Sequence, residues 1–472
     1  MTNPASAHPR RFRCPPAEWL LAVAFGAFGV WVYSYTPIKW VSAEVMVYRN
    51  LAMAFVAGSF AMIALTFGEA LLRGVSAAER RAWTRYAVIS AAAIALGCFL
   101  LVPAPQSGLI NRLLESATLG ASLTALALTL FLPVAALVTL RQVGSAMRDG
   151  FQLWTPYLIY FVFSSYCLAA TRLASPLVQD PVLLRMDLSL GFNPSQFVHA
   201  WHHQWLWIRP VSLTAYALLG LLIALVIARL QIARAWAHAR RALLASFLVG
   251  VLGLGCYHLV PAVGPVYAFP ALYRALDSPE RQAEAAATHE SVLTGPDQIA
   301  GPPRLFRNAM PSLHATFTFV SLAAAWHWRR RFFWACLPLG FLQIATTLTL
   351  GYHYLVDLLA AVPFAVFCWW IADRAIRLTP RAGDDPLPAT VPSRWLPLYL
   401  LVSVGALLVW AALAPLSPWL AWPLAALIVV APCYPTLAGF CRASLPHEKS
   451  LTFRAPTEAS PTLPPSPDSP PA

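Results

Sequence analysis

The sequence predicts an all-α, polytopic integral membrane protein of about twelve transmembrane helices, with a six-helix core among them. Two observations carry this. Of the 472 residues, 58% are hydrophobic and only 11% are charged, whereas a soluble domain carries about 25% charged residues. The apolar residues also gather into runs of the ~20 residues that a helix needs to cross a hydrocarbon core of ~30 Å. Eighteen Trp, many beside Pro, Arg or Tyr near the ends of these runs, fit interfacial aromatic belts.

In chain order the runs lie near 17–36, 50–72, 84–103, 117–140, 152–172, 210–229, 242–262, 310–328, 332–352, 354–373, 395–414 and 417–435. The first, from about Glu18 to Tyr35, lacks a small-residue cleavage site and reads as a retained helix. Grouping the runs divides the chain into four parts. Residues 1–148 form a tail and a four-helix module, and 149–378 a six-helix core with long outer loops. Residues 379–436 add two helices, and 437–472 form a Pro/Ser-rich cytoplasmic tail expected to be disordered. The loop over 173–208 reads as one or two helices in the interface plane. The loop over 263–308 is long enough to act as a lid or wall. Eight cysteines sit in apolar runs or tails without any CxxC, which speaks against a disulfide framework and a thiolate zinc site.

The net charge of +13 is a matter of topology. With the N-terminus in the cytoplasm, most basic residues fall in short cytoplasmic loops, among them Arg80, Arg81, Arg240, Arg241, Arg329, Arg330, Arg331, Arg374 and Arg377. The charge therefore reads as positive-inside bias and contact with an anionic leaflet, not as a nucleic-acid surface. It also sets depth. At 1.5 Å per residue, His314 lies roughly 22 Å from Arg329, and Asp357 roughly 26 Å from Arg374. The stretches AMPSLHATFT (309–318) and GYHYLVDLLAA (351–361) are thus expected to meet at the outer interface.

These two stretches carry the chemistry. His353 and Asp357, four apart, share one face of a helix. A carboxylate there holds one imidazole nitrogen as N–H and leaves the other nucleophilic. Pro311 is suited to a first helical turn, and a helix N-terminus with the Ser312 hydroxyl suits a phosphate. Two imidazoles, a carboxylate and an anion cradle fit phosphoryl transfer through a phosphohistidine. A metal site of two His and one Asp is the competing use, but no further carboxylate cluster supports it. Asp357 is one of few acids within a span, which favours function over packing.

MPSLHA followed by GYHYLVDLLAA resembles the second and third motifs of the type-2 phosphatidic acid phosphatase superfamily. The forms PSLH and HYxxD are most similar to its inositolphosphotransferase branch, related to inositol phosphorylceramide synthases. The YHLVPAVGP run, with Tyr257, Pro261 and Pro265, and the MDLSLGFNPS run are also similar to that branch. The resemblance spans about residues 150–378. It implies that His353 takes the phosphoryl group and that Asp357 orients it. His314 protonates the leaving oxygen and then activates the acceptor, while Ser312 and adjacent N–H groups hold the phosphate. It implies no metal and no other cofactor, and a lipid phosphate as substrate; the charge bias puts the site on the extracytoplasmic face, and the expected location is a bacterial inner membrane.

The chain departs from the phosphatase pattern at two places. Thr346 and Thr347 stand where Ser and Arg are expected, and the first motif, KxxxxxxRP, is missing near 257–270. His202 with Arg209-Pro210 lies one helix pair too early to replace it. Arg307 and Arg304, just before the PSLH turn, are the candidates to bind phosphate in place of the missing cations. Hydrolase and transferase share the same intermediate. A lipid phosphate or isoprenoid diphosphate hydrolase is one alternative, and a transporter or scaffold retaining the fold is the other. His202 and His203, set among tryptophans, read as interfacial anchors.

Overall fold

Backbone polar groups in a bilayer must be satisfied within the segment, so apolar runs become helices. The computed structural model describes residues 174–444, with Leu168 and Thr171 before them and breaks chiefly at 206–210, 274–277, 302–304, 381–386, 388–395 and 414–417. The expected N-terminal four-helix module and the run near 152–172 fall almost wholly outside the described residues.

The described helices are α1 (Asp180–Leu188), α2 (Pro194–His203), α3 (Leu219–Ile232), α4 (Trp236–Leu259), α5 (Pro265–Ala268), α6 (Pro279–Thr294), α7 (Leu313–Trp328), α8 (Arg330–Thr349), α9 (Leu355–Leu378), α10 (Leu396–Leu413) and α11 (Pro418–Ser444). A 3-10 turn, Pro270–Tyr273, follows α5. Four of these helices, α4, α8, α9 and α10, are long and apolar enough to cross a membrane, which fits an all-α integral membrane protein. The sequence did not foretell a two-residue antiparallel ladder, in which Leu177–Val178 (β1) pairs with Ile299–Ala300 (β2). Strands that short leave no alternation to read. The last helix continues to Ser444, past the expected start of the tail.

Helices α4, α7 and α9 pack on one another, and α3 and α8 flank α7. Leu222, Val226, Leu230, Phe317, Val320, Ala324 and Cys368 belong to their shared core. A second core lies around the loop before α9, where Leu184 and Met186 of α1 meet Tyr354 and Val356 together with Trp410 and Ile428 of α10 and α11. One extended residue, Arg329, turns α7 directly into α8. At that end arginines lie over tryptophans: Arg229 over Trp328 at 5.2 Å, Arg330 over Trp326 at 5.2 Å and Arg374 over Trp370 at 5.4 Å. A basic and aromatic girdle of this kind marks a membrane interface. His314 stands at the other end of α7.

Among the girdle residues, α4 is locked to α9 by a buried ion pair, Arg241 Nη1 to Asp373 Oδ1 at 2.6 Å. Arg377 Nε reaches Asp373 Oδ2 at 2.7 Å, and Arg241 lies over the Trp369 ring at 4.4 Å. Removing one member of a buried pair strands the other charge, at a cost of about 3–5 kcal/mol. Asp373→Ala is therefore expected to lower the melting temperature of the purified protein by many degrees. The double change Asp373→Leu/Arg241→Met should recover much of that loss. A single variant as stable as the wild type would contradict this.

The long loops on either side of α3 and α4 fold over the end of the bundle opposite this girdle. Helices α1 and α2 occupy the stretch expected to hold interfacial helices. On α2, Phe197 and Trp201 are exposed while Ser195, His199 and His202 are buried. His202 is thus turned inward, contrary to the expected interfacial anchor, and the neighbouring Trp201 is exposed. The loop 263–308 holds α5, α6 and β2, and it is tied down by Arg185 of α1. The Arg185 guanidinium donates to the carbonyls of Val292 (3.2 Å) and Gly295 (3.1 Å) and pairs with Asp297.

Candidate active site

The first half of the site is the start of α7. Ser312, fully buried, is the N-cap, and its hydroxyl accepts the Ala315 N–H at 3.3 Å. Its carbonyl takes the Thr316 N–H at 3.0 Å. Serine caps well because its short oxygen reaches an otherwise orphaned donor. Pro311, expected in the first turn, instead precedes the cap in a cis Met310–Pro311 peptide. His314 is half-buried, and its ring is stacked on Tyr216 with centroids 3.9 Å apart and planes inclined by 20°.

The second half is the loop from Gly351 to Tyr354 and the first turn of α9. His353 lies before the helix and Asp357 lies within it, so the pair does not share a helical face as the spacing alone suggests. Capping brings them together. Asp357 Oδ2 accepts the Tyr354 N–H at 2.9 Å and stands 3.3 Å from His353 Nδ1. The same Nδ1 lies 3.0 Å from the Ala309 carbonyl. Both neighbours are acceptors, so Nδ1 carries the proton and Nε2 keeps its lone pair. Burial pushes the His353 imidazole down to about 4 from 6.5, against the raising effect of the Ala309 carbonyl. The ring is therefore neutral over the ordinary pH range.

The two halves meet, as the depth argument predicts. The Ser312 N–H donates to the Asp357 carbonyl at 3.2 Å, and the Ala309 carbonyl joins His353. A third strand of chain underlies them. The Ala309 N–H donates to the Ala262 carbonyl (3.0 Å), and the Val266 N–H to the Gly351 carbonyl (3.0 Å). Gly264 has φ +94°, and a Cβ there would stand 2.2 Å from the Tyr352 carbonyl oxygen, so the loop requires glycine at that point.

Two acids that sequence reasoning passed over complete the frame. Asp180 and Asp187, both fully buried, lie seven apart on α1 and so share a face. Asp180 accepts the N–H groups of Val263 (3.0 Å) and Gly264 (2.9 Å) and the Tyr354 hydroxyl (2.9 Å). Asp187 accepts the N–H groups of Leu355 (2.8 Å) and Val356 (3.0 Å). Burial pushes the Asp180 carboxyl up to about 6 and the Asp187 carboxyl up to about 8, both against these donors. The readable signal was the seven-residue spacing of two acids within a greasy outer segment. Tyr352, half-buried, meets Tyr216 edge-on at 5.4 Å and stacks on Tyr267 at 5.7 Å. These rings make an aromatic wall beside His314.

The predicted phosphate ligands fare differently. Ser312 lies in the junction of the two halves. Arg307 is 1% exposed, and it donates from Nε to the Ser175 carbonyl (3.0 Å) and from Nη1 to the Leu305 carbonyl (2.8 Å). Its charge also acts on Asp180. Arg304 lies outside the described residues. Thr346 and Thr347 turn their hydroxyls back to the carbonyls of Gln343 (2.8 Å) and Ile344 (2.7 Å) within α8. Among the described residues no group of three or more His, Cys, Asp or Glu is arranged to hold a metal ion.

A helical membrane bundle with a buried His–Asp pair joined to the start of a helix that carries a second histidine is the class that fold and site define together. Residues 181–371 match the family model described as the PAP2 superfamily. This supports the type-2 phosphatidic acid phosphatase superfamily for that segment, which contains both histidine stretches, Asp357 and Asp187. No curated protein and no solved structure matches the chain.

Proposed function

We propose that the protein is a membrane-embedded enzyme that transfers a phosphoryl or phospho-alcohol group from a lipid phosphate at the extracytoplasmic face. Members of the matched superfamily are phosphatases and phosphotransferases. The observation that carries the reading is the proton arrangement at His353, with Nδ1–H directed at Asp357 and Ala309 and the Nε2 lone pair left for phosphorus.

The reaction has two halves. His353 Nε2 forms a bond to phosphorus while the bond from phosphorus to the leaving oxygen breaks, and that oxygen takes a proton from His314. Asp357 offsets the positive charge that appears on the imidazole. His314, now neutral, takes the proton of the acceptor hydroxyl as its oxygen attacks phosphorus and the P–N bond breaks. Ser312 and the first turn of α7 hold the phosphoryl oxygens. Arg307 enters as a positive charge behind the loop, with Arg304 as the second candidate cation. In this reading the chain has about twelve spans, and the site faces the exterior or periplasm of a bacterial inner membrane. Within it we favour an inositolphosphotransferase-like activity, on the PSLH and HYxxD forms and the absence of the phosphatase Ser and Arg at Thr346 and Thr347.

The test is turnover by the purified protein in lipid nanodiscs against a panel of lipid phosphates, with and without polyol acceptors. Acceptor-dependent headgroup exchange supports the transferase. Phosphate release unaffected by acceptors makes the protein a hydrolase. Transport that persists in His353→Ala proteoliposomes would make it a transporter on the same fold.

The acid limb of kcat/KM follows from the burial of His353. The protonated ring has no Nε2 lone pair, so activity falls as pH drops through its pKa, about 4. A pH–rate profile of the wild type should hold up through pH 6 and decline well below it. A decline centred at 6.5 that vanishes in no other variant would contradict a buried neutral nucleophile.

A further inference from the structure

We propose that Asp187 is a positioning residue of the His353–Asp357 pair, and that the C-terminal hairpin α10–α11 holds it in place through Trp410. The inference rests on the reading of His353 as the nucleophile and goes beyond it to a part of the chain outside the matched segment.

The first turn of a helix exposes N–H groups with no intrahelical partner. At α9 these are taken by two carboxylates from different places. Asp357 takes the Tyr354 N–H from within the helix, while Asp187 takes those of Leu355 and Val356 from α1. The rotation of this turn decides where Asp357 Oδ2 stands relative to His353 Nδ1, now 3.3 Å away. Asp187 therefore sets the register of a helix whose third residue orients the nucleophile.

Asp187 is in turn held by the end of its own helix. The Ser189 hydroxyl donates to the Met186 carbonyl at 2.6 Å and accepts the Trp410 indole N–H at 2.9 Å. The Trp422 indole N–H reaches the Leu190 carbonyl at 3.2 Å. Trp410 is 1% exposed, and it shares an apolar cluster with Leu184, Met186, Tyr354 and Val356. Indole N–H groups projecting from otherwise apolar helices bond in fixed directions. The hairpin thus braces α1, and α1 braces the catalytic turn.

Steady-state kinetics on the full chain in nanodiscs tests this, using the lipid phosphate found in the panel above. The variants are Asp187→Asn, Asp187→Ala, Trp410→Phe, the Asp187→Ala/Trp410→Phe double variant and His353→Ala. Asp187→Ala should lower kcat by about 10–100-fold with KM within about twofold, the pattern of a displaced reacting group. Asp187→Asn keeps one acceptor oxygen and should fall between it and the wild type. Trp410→Phe keeps the ring and loses the N–H, and should lower kcat by about 3–10-fold with the same split. The double variant should be no worse than Asp187→Ala, since both act on one path. If folded Asp187→Ala turns over within twofold of the wild type while His353→Ala is inactive, the proposal falls and the site reading stands. A loss expressed in KM alone, or a multiplicative double variant, also overturns it. Should Asp187→Ala not fold, a folded Trp410→Phe with wild-type kcat overturns it. Undiminished turnover by His353→Ala removes the site reading and the proposal together.

Discussion

His353→Ala is expected to lose lipid-phosphate turnover by about four orders of magnitude or more, the scale seen when a covalent nucleophile is removed. The expectation follows from three features together. The ring is 4% exposed, its Nδ1 is engaged by Asp357 and Ala309, and burial keeps it neutral. Alanine removes the attacking atom and leaves a small void among groups that otherwise bond one another. Ser312 would still be joined to Asp357, so binding of the lipid is expected to survive. Turnover and lipid binding measured side by side check this: kcat vanishes while affinity changes little. A variant with unimpaired turnover contradicts the assignment, and one that has lost binding alone shows His353 to be a pocket wall.

Gly264→Ala is expected to have the next largest effect, although residue 264 takes no part in the chemistry. The left-handed backbone costs a non-glycine residue about 1–3 kcal/mol. The added Cβ would also meet the Tyr352 carbonyl oxygen at 2.2 Å, a contact that only backbone movement relieves. Tyr352 precedes His353, so the relief displaces the His353 ring, the proposed nucleophile. Displacement of about 1 Å costs on the order of 100-fold in rate. Gly255 of α4 is a suitable control, because a Cβ there meets nothing within 4 Å. Melting temperature and kcat of the two alanine variants decide the matter. Gly264→Ala should be less stable and about 100-fold slower, with Gly255→Ala near wild type. Equal behaviour of the two would contradict the account of the loop.

Much of this was readable before the structure, for physical reasons. The spans expected at 354–373 and 395–414 appear as Leu355–Leu378 and Leu396–Leu413 because a long apolar run in a bilayer has one solution. His314, His353 and Asp357 stood out because ionisable groups in such runs are costly and rarely idle. Local register was harder. Helical periodicity put His353 and Asp357 on one face, whereas Tyr354 is the cap, its N–H is taken by Asp357, and His353 is left outside the helix. Pro311 looked like a helix starter until Ser312 took the cap. The acids of α1 are legible only as a pair at a seven-residue spacing, because a single loop acid reads as solvated. What Asp187 is bonded to is the first turn of α9, and its neighbour Met186 packs with Trp410 and Ile428 of the hairpin, all far away in sequence. Arg307 was legible as a cation but not as one held by the carbonyls of Ser175 and Leu305.

The central claim is that the phosphoryl group rests on His353 between the two half-reactions. Rapid quenching of the purified protein with lipid labelled in its phosphate, followed by alkaline digestion and peptide mass spectrometry, tests it most directly. The account predicts an acid-labile, base-stable phosphate on the peptide containing His353, absent from His353→Ala and accumulating in His314→Ala when the acceptor step is slowed. Active protein that passes phosphate from lipid to acceptor with no label on any histidine at any quench time would contradict it.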